Sequence, residues 1–262
     1  MINFDTNNLI IVAYPPMAGG KFLINCLALS SDAVFQHRIF AQQDLNNELT
    51  SENKMQILRD RLSEVTHWND LYMGCRELFG VDEKIYEKYN GNLSIFRFND
   101  VIETLSNSKK LFFIVAHTTT VLTCILKVWR NARVIMFTDC LPFINMRGGN
   151  NIAADYWKDI RATTWPDQSP KTYKELMTYP KIIIDNIEKL FPDMYDKLVD
   201  NIERYPHDLS KTIFWNNNLY FSSEDTANGV EKLYKEFNLT GYNREYILEY
   251  HKLWIEKINQ LK

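Results

Sequence analysis

Along the chain, unbroken apolar runs alternate with stretches in which apolar residues return every three or four positions. The runs are Leu9 to Ala13 and Leu111 to Ala116, joined by the continuous β-rich run Ala132 to Asp139. Each has the length of a strand and lacks the in-out alternation of a half-exposed one, so they predict strands covered on both faces. Lys211 to Trp215 is a shorter strand candidate. Helical spacing appears at Phe22, Leu23, Cys26, Leu27 and Leu29, and again at Met55, Leu58, Leu62 and Val65 in a segment from about Lys54 to Trp68. Thr118 to Arg130 repeats it with Val121, Leu122, Ile125 and Val128 or Trp129. Ser222 to Leu239 places Val230, Leu233, Tyr234 and Phe237 inward, with Ser222 or Ser223 as N-cap. Arg244 to Leu261 closes the chain with a stripe of Tyr246, Ile247, Tyr250, Leu253, Trp254 and Ile258 that reads as core packing rather than a cofactor box.

Between these segments the pattern is less decisive. Gln36 to Asn53 is polar and reads as a loop, Glu83 to Tyr89 and Asp100 to Leu105 as short helical pieces, and Asp193 to Arg204 as a helix. Lys181 to Leu190 fits either a strand or a helix. A Gly-Gly-Asn-Asn loop at 148–151 precedes a polar region holding Trp157 and Trp165, which suits a substrate lid or a plain structural loop equally. The order strand, helix, strand predicts an α/β fold, a three-layer sandwich with a central, mainly parallel sheet. With no repeat, low-complexity tract or linker, 1–262 reads as a single domain.

Composition narrows the class. A chain of 262 residues with 45% hydrophobic content can bury a large core, and its net charge of −3 with scattered basic residues disfavours a nucleic-acid partner. The cysteines Cys26, Cys75, Cys124 and Cys140 lie far apart without C-x-x-C spacing, as expected of buried thiols in a reducing compartment. The start MINFDTNN has no basic leader, and the apolar runs are too short for a membrane span, so a soluble cytoplasmic protein without a membrane partner is expected.

Candidate chemistry begins where the first strand stops. Pro15-Pro16 ends the run, and Ala18-Gly19-Gly20 then leads through Lys21 into the helical pattern at Phe22. A turn of small residues on a helix N-terminus lets backbone N–H groups converge on an anion, and Lys21 adds a full charge. A tight strand-to-helix turn in any α/β domain also uses glycines, and that plain reading stands beside the anion cradle. In a parallel sheet, ligands bind beyond the carboxyl ends of the strands. His117, after the second strand, and the segment Asp139 to Arg147, after the third, fall on that edge with the glycine turn. A lone histidine is more often structural, and its place opposite the turn is what singles out His117. The P-loop of nucleotide triphosphatases reads G-x-x-x-x-G-K-[ST], but here Pro15 takes the first glycine position and Phe22 the hydroxyl position that would hold Mg²⁺. A group transfer that needs no metal suits the turn better.

The stretch Pro16-Met17-Ala18-Gly19-Gly20-Lys21-Phe22-Leu23 resembles the phosphosulfate loop P-K-S-G-T-T-W-L of sulfotransferases that use 3′-phosphoadenosine 5′-phosphosulfate (PAPS). Ala116-His117-Thr118-Thr119 is similar to that family's strand-end T-H-L-P, and Ala132 to Asp139 to its strand A-K-V-I-Y-V-V-R. Asn238-Leu239 and the terminal helix look like its C-terminal region. The resemblance implies the P-loop-like sulfotransferase architecture and PAPS as co-substrate, with a small-molecule or glycan acceptor attacking sulfur through a hydroxyl or amine. His117 would be the general base, and Lys21 would stabilise the leaving phosphate. Met17, Ala18, Gly19, Gly20, Lys21, Phe22, Asp139 and Arg147 would line the cofactor. The departures are specific. Met17 stands where the family has its loop lysine, Asp139 where it has the arginine for the 3′-phosphate, and Arg147 where it has a serine; no R-K-G motif follows. A non-catalytic nucleotide-binding relative of the fold and a P-loop kinase-like enzyme are the alternatives.

Overall fold

The computed structural model describes residues 8–14, 18–35, 43, 44, 47–66, 109–116, 132–140, 142, 143 and 211–261. The fold is α/β. Strands β1 (Leu9–Ala13), β2 (Phe112–Ala116), β3 (Arg133–Thr138) and β4 (Thr212–Asn216) form an all-parallel sheet in the order β2-β1-β3-β4. Each strand lies within one residue of its predicted run. Asp139 leaves β3 because its backbone turns to a positive φ of 53°, which no strand residue adopts. Alternate positions divide the sheet into two faces. Ile10, Val12, Phe113, Ile135, Phe137 and Trp215 belong to one core cluster with the helices, while Leu9, Ile11, Ile114, Val134 and Met136, on the other face, are at most 2% exposed. Burial on both faces is why β1, β2 and β3 read as apolar runs, whereas in β4 only Trp215 is buried.

The described helices are α1 (Gly20–Ala28), α2 (Ser51–Glu64), α3 (Ser223–Glu236) and α4 (Arg244–Gln260), with a 3-10 helix at Asn217–Phe221 between β4 and α3. Helix α2 starts three residues before the predicted Lys54, which corrects the loop drawn to Asn53. The Thr50 side chain accepts from the Asn53 N–H, and the Asn53 side chain accepts from the Thr50 N–H. That capping box uses Asn where Glu or Gln is the usual sequence signal, so the start was hidden. Ser222 is the N-cap of α3, accepting from the Asp225 N–H at 3.2 Å. The stripes hold: Met55, Leu58 and Leu62 of α2, Val230, Leu233 and Tyr234 of α3, and Ile247, Tyr250, Trp254 and Ile258 of α4 are buried. The helical segments expected at 83–89, 100–105, 118–130 and 193–204, the ambiguous 181–190 and the loop at 148–151 lie outside the described residues, as do Cys75 and Cys124.

Helix α1 is the hub. Tyr234 of α3 donates its hydroxyl to the Cys26 carbonyl at 3.0 Å, and Asn25 donates to the Tyr250 hydroxyl of α4 at 2.9 Å. Helix α2 is tied to α4 by a two-pronged contact, Arg59 Nε and Nη2 each 2.7 Å from a Glu249 carboxylate oxygen.

At the β2 side, a buried ionic group fixes the chain that leaves α1. Asp44, fully buried, takes Lys54 on one carboxylate oxygen at 3.0 Å and Lys110 on the other at 2.9 Å, and accepts from the Phe35 N–H. Lys54 Nζ also donates to the carbonyls of Ser30 (2.8 Å) and Ala33 (3.1 Å). Burial still holds the Lys54 pKa below its ordinary 10.5, with Asp44 opposing that fall. Removing the shared anion would take from two lysines the buried carboxylate that both contact. Asp44→Ala is therefore expected to cost about 3–5 kcal/mol, read as a lower urea midpoint with an unchanged m-value.

Candidate functional site at the carboxyl edge of the sheet

Ala13 is in register with Ala116 on one side and Met136 on the other, so β1, β2 and β3 end nearly abreast. The strand order carries the chain from β1 outward in both directions, which makes the crevice between the ends of β1 and β3 the topological switch point. Beyond β1, the Tyr14 N–H donates to the Ala116 carbonyl at 3.0 Å. Helix α1 then begins at Gly20, behind an N-cap Gly19 with φ 82° and ψ 18°. That left-handed entry is open to glycine at little cost. Gly19 has no side chain to cap the helix, so the cap residue offers no acceptor to the first-turn N–H groups and the positive end of the dipole at the switch point.

The glycines are also pressed by rings. A Cβ at Gly20 would fall 2.1 Å from the Tyr14 ring, and one at Gly19 would fall 2.8 Å from Trp254 and 3.0 Å from Tyr220. Tyr220 donates its hydroxyl to the Gly19 carbonyl at 3.1 Å. Phe22 stacks on Trp254 (4.2 Å between centroids, 16°) and on Tyr250 (4.9 Å, 12°), and Phe143 stacks on Trp254 from beyond β3. The turn thus has a packing reason for both glycines as well as a possible anion-binding one. The terminal helix, read from sequence as core, proves to lie against the glycine turn, a juxtaposition that no local pattern encodes.

Of the candidate site residues, Ala18, Gly19, Gly20 and Phe22 are buried, and Lys21 is half-buried in the first turn of α1. The Phe22 ring is spent on packing, which leaves its backbone N–H as what it can offer an anion. Asp139 is exposed directly after β3, on the strand adjoining β1. The structure therefore brings 18–22 and Asp139 to neighbouring strand ends. Met17, His117 and Arg147 lie outside the described residues. Among the described residues, no three His, Cys, Asp or Glu side chains group around a possible metal position. Burial pushes the thiols of Cys26 and Cys140 up, so both stay protonated and unreactive.

A histidine that the sequence reading did not single out lies beside the turn. The His251 ring meets Phe22 edge-on at 5.6 Å. Its Nε2 is 3.0 Å from the Tyr220 carbonyl oxygen, which can only accept, so Nε2 carries the proton. Nδ1 is then the acceptor for Ser223 Oγ–H at 2.8 Å. Burial lowers the His251 pKa from 6.5, with the Tyr220 carbonyl opposing the shift. An open groove of about 490 Å³ lies elsewhere, at the amino edge, lined by residues including Asn8, Lys109 and Arg133, which precede or open β1, β2 and β3. Arg133 sits there over the Phe237 ring at 4.6 Å, far from the switch point.

Comparison with protein-family models, curated proteins and solved structures returns no match.

Two outcomes are expected. Gly20→Ala should lose about 1–3 kcal/mol through overpacking against Tyr14, outweighing the roughly 0.5–1 kcal/mol that Ala normally gains in a helix, as measured by chemical denaturation. Because the folded state resists protonating His251, stability is full above pH 6.5 and falls as the pH drops below it. His251→Gln should flatten that acid limb of a stability-against-pH curve.

Proposed function

We propose that this chain binds PAPS across the carboxyl edge of its sheet and transfers the sulfuryl group to a hydroxyl or amine acceptor. The observation that carries the reading is the uncapped N-terminus of α1, entered through left-handed Gly19 at the switch point between β1 and β3. It is supported by the similarity of 16–23, 116–119 and 132–139 to the sulfotransferase landmarks, which fall at the carboxyl ends of β1 and β2 and along β3. Burial of both sheet faces suits the three-layer architecture this reading entails.

In this reading the first-turn N–H groups, the dipole of α1 and Lys21 stabilise negative charge growing on the leaving phosphate oxygen. His117 takes the acceptor's proton as oxygen or nitrogen attacks sulfur. The S–O bond to the nucleotide breaks, and 3′-phosphoadenosine 5′-phosphate leaves. Nothing in the step needs a metal.

A second reading, a nucleotide-binding relative that does not transfer, is favoured by Asp139 standing exposed where the family places its 3′-phosphate arginine. Thermal denaturation separates the readings from a kinase-like enzyme. 3′-Phosphoadenosine 5′-phosphate at a hundred times its Kd should add about 2.7 kcal/mol of stability. Stabilisation by ATP with Mg²⁺ alone would instead place the chain with the kinases. For transfer, His117→Ala should reduce turnover by about 10²–10⁴-fold with nucleotide binding retained. Lys21→Ala should weaken both, and unchanged turnover in His117→Ala overturns the assignment.

A further inference from the structure

We propose that Ser223 is a nucleophile activated by His251, and that the pair accepts acyl groups from activated carboxylic esters or thioesters. The inference is independent of the nucleotide reading. It rests on the geometry of three groups: Ser223 Oγ 2.8 Å from His251 Nδ1, and His251 Nε2 3.0 Å from the Tyr220 carbonyl. The carbonyl fixes the tautomer, so the nitrogen facing the serine is the basic one. It then plays the orienting part that a carboxylate plays in a serine–histidine–aspartate triad, with the two ring nitrogens exchanged. The imidazole cannot swing away, since its ring is 3% exposed and packs on Phe22 and on Trp254 at 6.2 Å.

Ser223 differs from its neighbour in the way a nucleophile must. Ser222 Oγ is occupied as the cap of α3, accepting from the Asp225 N–H, whereas Ser223 Oγ donates to the base. Ser223 is half-buried, and its bond to His251 is part-buried rather than enclosed in the core. It is also the first residue of α3. The Asp225 and Thr226 N–H groups are already taken by Ser222, which leaves the N–H groups of Ser223 and Glu224 as first-turn donors with no acceptor inside the helix. Such donors suit the oxyanion of an acyl-transfer intermediate.

The step balances as follows. Ser223 Oγ attacks the acyl carbon while its proton passes to His251 Nδ1. The ester C–O or thioester C–S bond breaks, and the departing alkoxide or thiolate takes the proton from Nδ1. The acyl group remains on Ser223 until water, giving a proton to the same nitrogen, attacks the acyl carbon; the Oγ–C bond breaks, Oγ takes the proton back from Nδ1, and the carboxylic acid leaves.

The test is an ethyl fluorophosphonate probe on the full chain, read by peptide mass spectrometry. Its Oγ–P bond forms with loss of fluoride. Ser223 is expected to react at least about a hundredfold faster in the folded chain than in urea, the lower end of what a positioned general base supplies. Ser222, in the same peptide region, should remain unmodified, and Ser222→Ala should still be labelled at Ser223. Equal rates for Ser223 in folded and unfolded chain, or labelling of Ser222 as fast as Ser223, overturns the proposal.

Discussion

Much of this structure depends on how closely α1 is allowed to approach its surroundings. Two consecutive residues without side chains, Gly19 and Gly20, let the Tyr14 ring on one side and the Trp254 and Tyr220 rings on the other close onto the start of the helix. Phe22, next in line, fills the space between the terminal helix and the 3-10 helix with stacked and edge-on contacts. Because protein interiors are packed to crystal density, an added methyl group at Gly20 would displace the Tyr14 ring, and one at Gly19 the rings of Trp254 and Tyr220. The carboxyl edge of the sheet, the first helix and the last helix therefore share one constraint.

That constraint links stability to any chemistry at the edge. The same left-handed Gly19 that admits the aromatic rings also turns the chain so that α1 starts at the switch point with no side-chain cap. The rings exclude water from one flank of the turn, and Tyr220 satisfies the Gly19 carbonyl while lending its own carbonyl to His251. A ligand at the α1 terminus and a nucleophile at Ser223 would thus be served by one rigid element, the segment from Asn217 to Ser222, rather than by separate loops.

How much of this was legible in the sequence follows from which forces are local. Strands β1, β2 and β3 were legible because burial on both faces leaves an apolar run, and α3 and α4 because a stripe at helical spacing must face something. The start of α2 was not, since Asn53 performs a cap that its residue type does not advertise. Lys54 and Asp44 look like solvated charges on a polar stretch, and only the fold shows Asp44 meeting Lys54 and, from 66 positions away in the chain, Lys110. The glycine turn was legible as a tight link between a strand and a helix, but the aromatic rings packed on it were not. Gly20 and Tyr14 are near in sequence, yet Trp254 and Tyr220 reach Gly19 only through tertiary structure. Likewise, Ser223 and His251 stand 28 residues apart on separate helices, and neither lies in a motif.

Charge at the switch point decides what kind of ligand the edge tolerates. An anion there meets the N-terminus of α1 and Lys21 on one strand's end and Asp139 on the next. Asp139 is exposed, and water at high dielectric reduces the repulsion of a unit charge at about 4 Å to roughly 1 kcal/mol. The helix terminus alone returns about 0.3–1 kcal/mol, and an ammonium at similar range offsets the aspartate again. The sum is near neutral to mildly attractive. Under the proposed PAPS reading, affinity would have to come from directed hydrogen bonds to the first-turn N–H groups and from contacts to the base and sugar, rather than from the field of the edge itself.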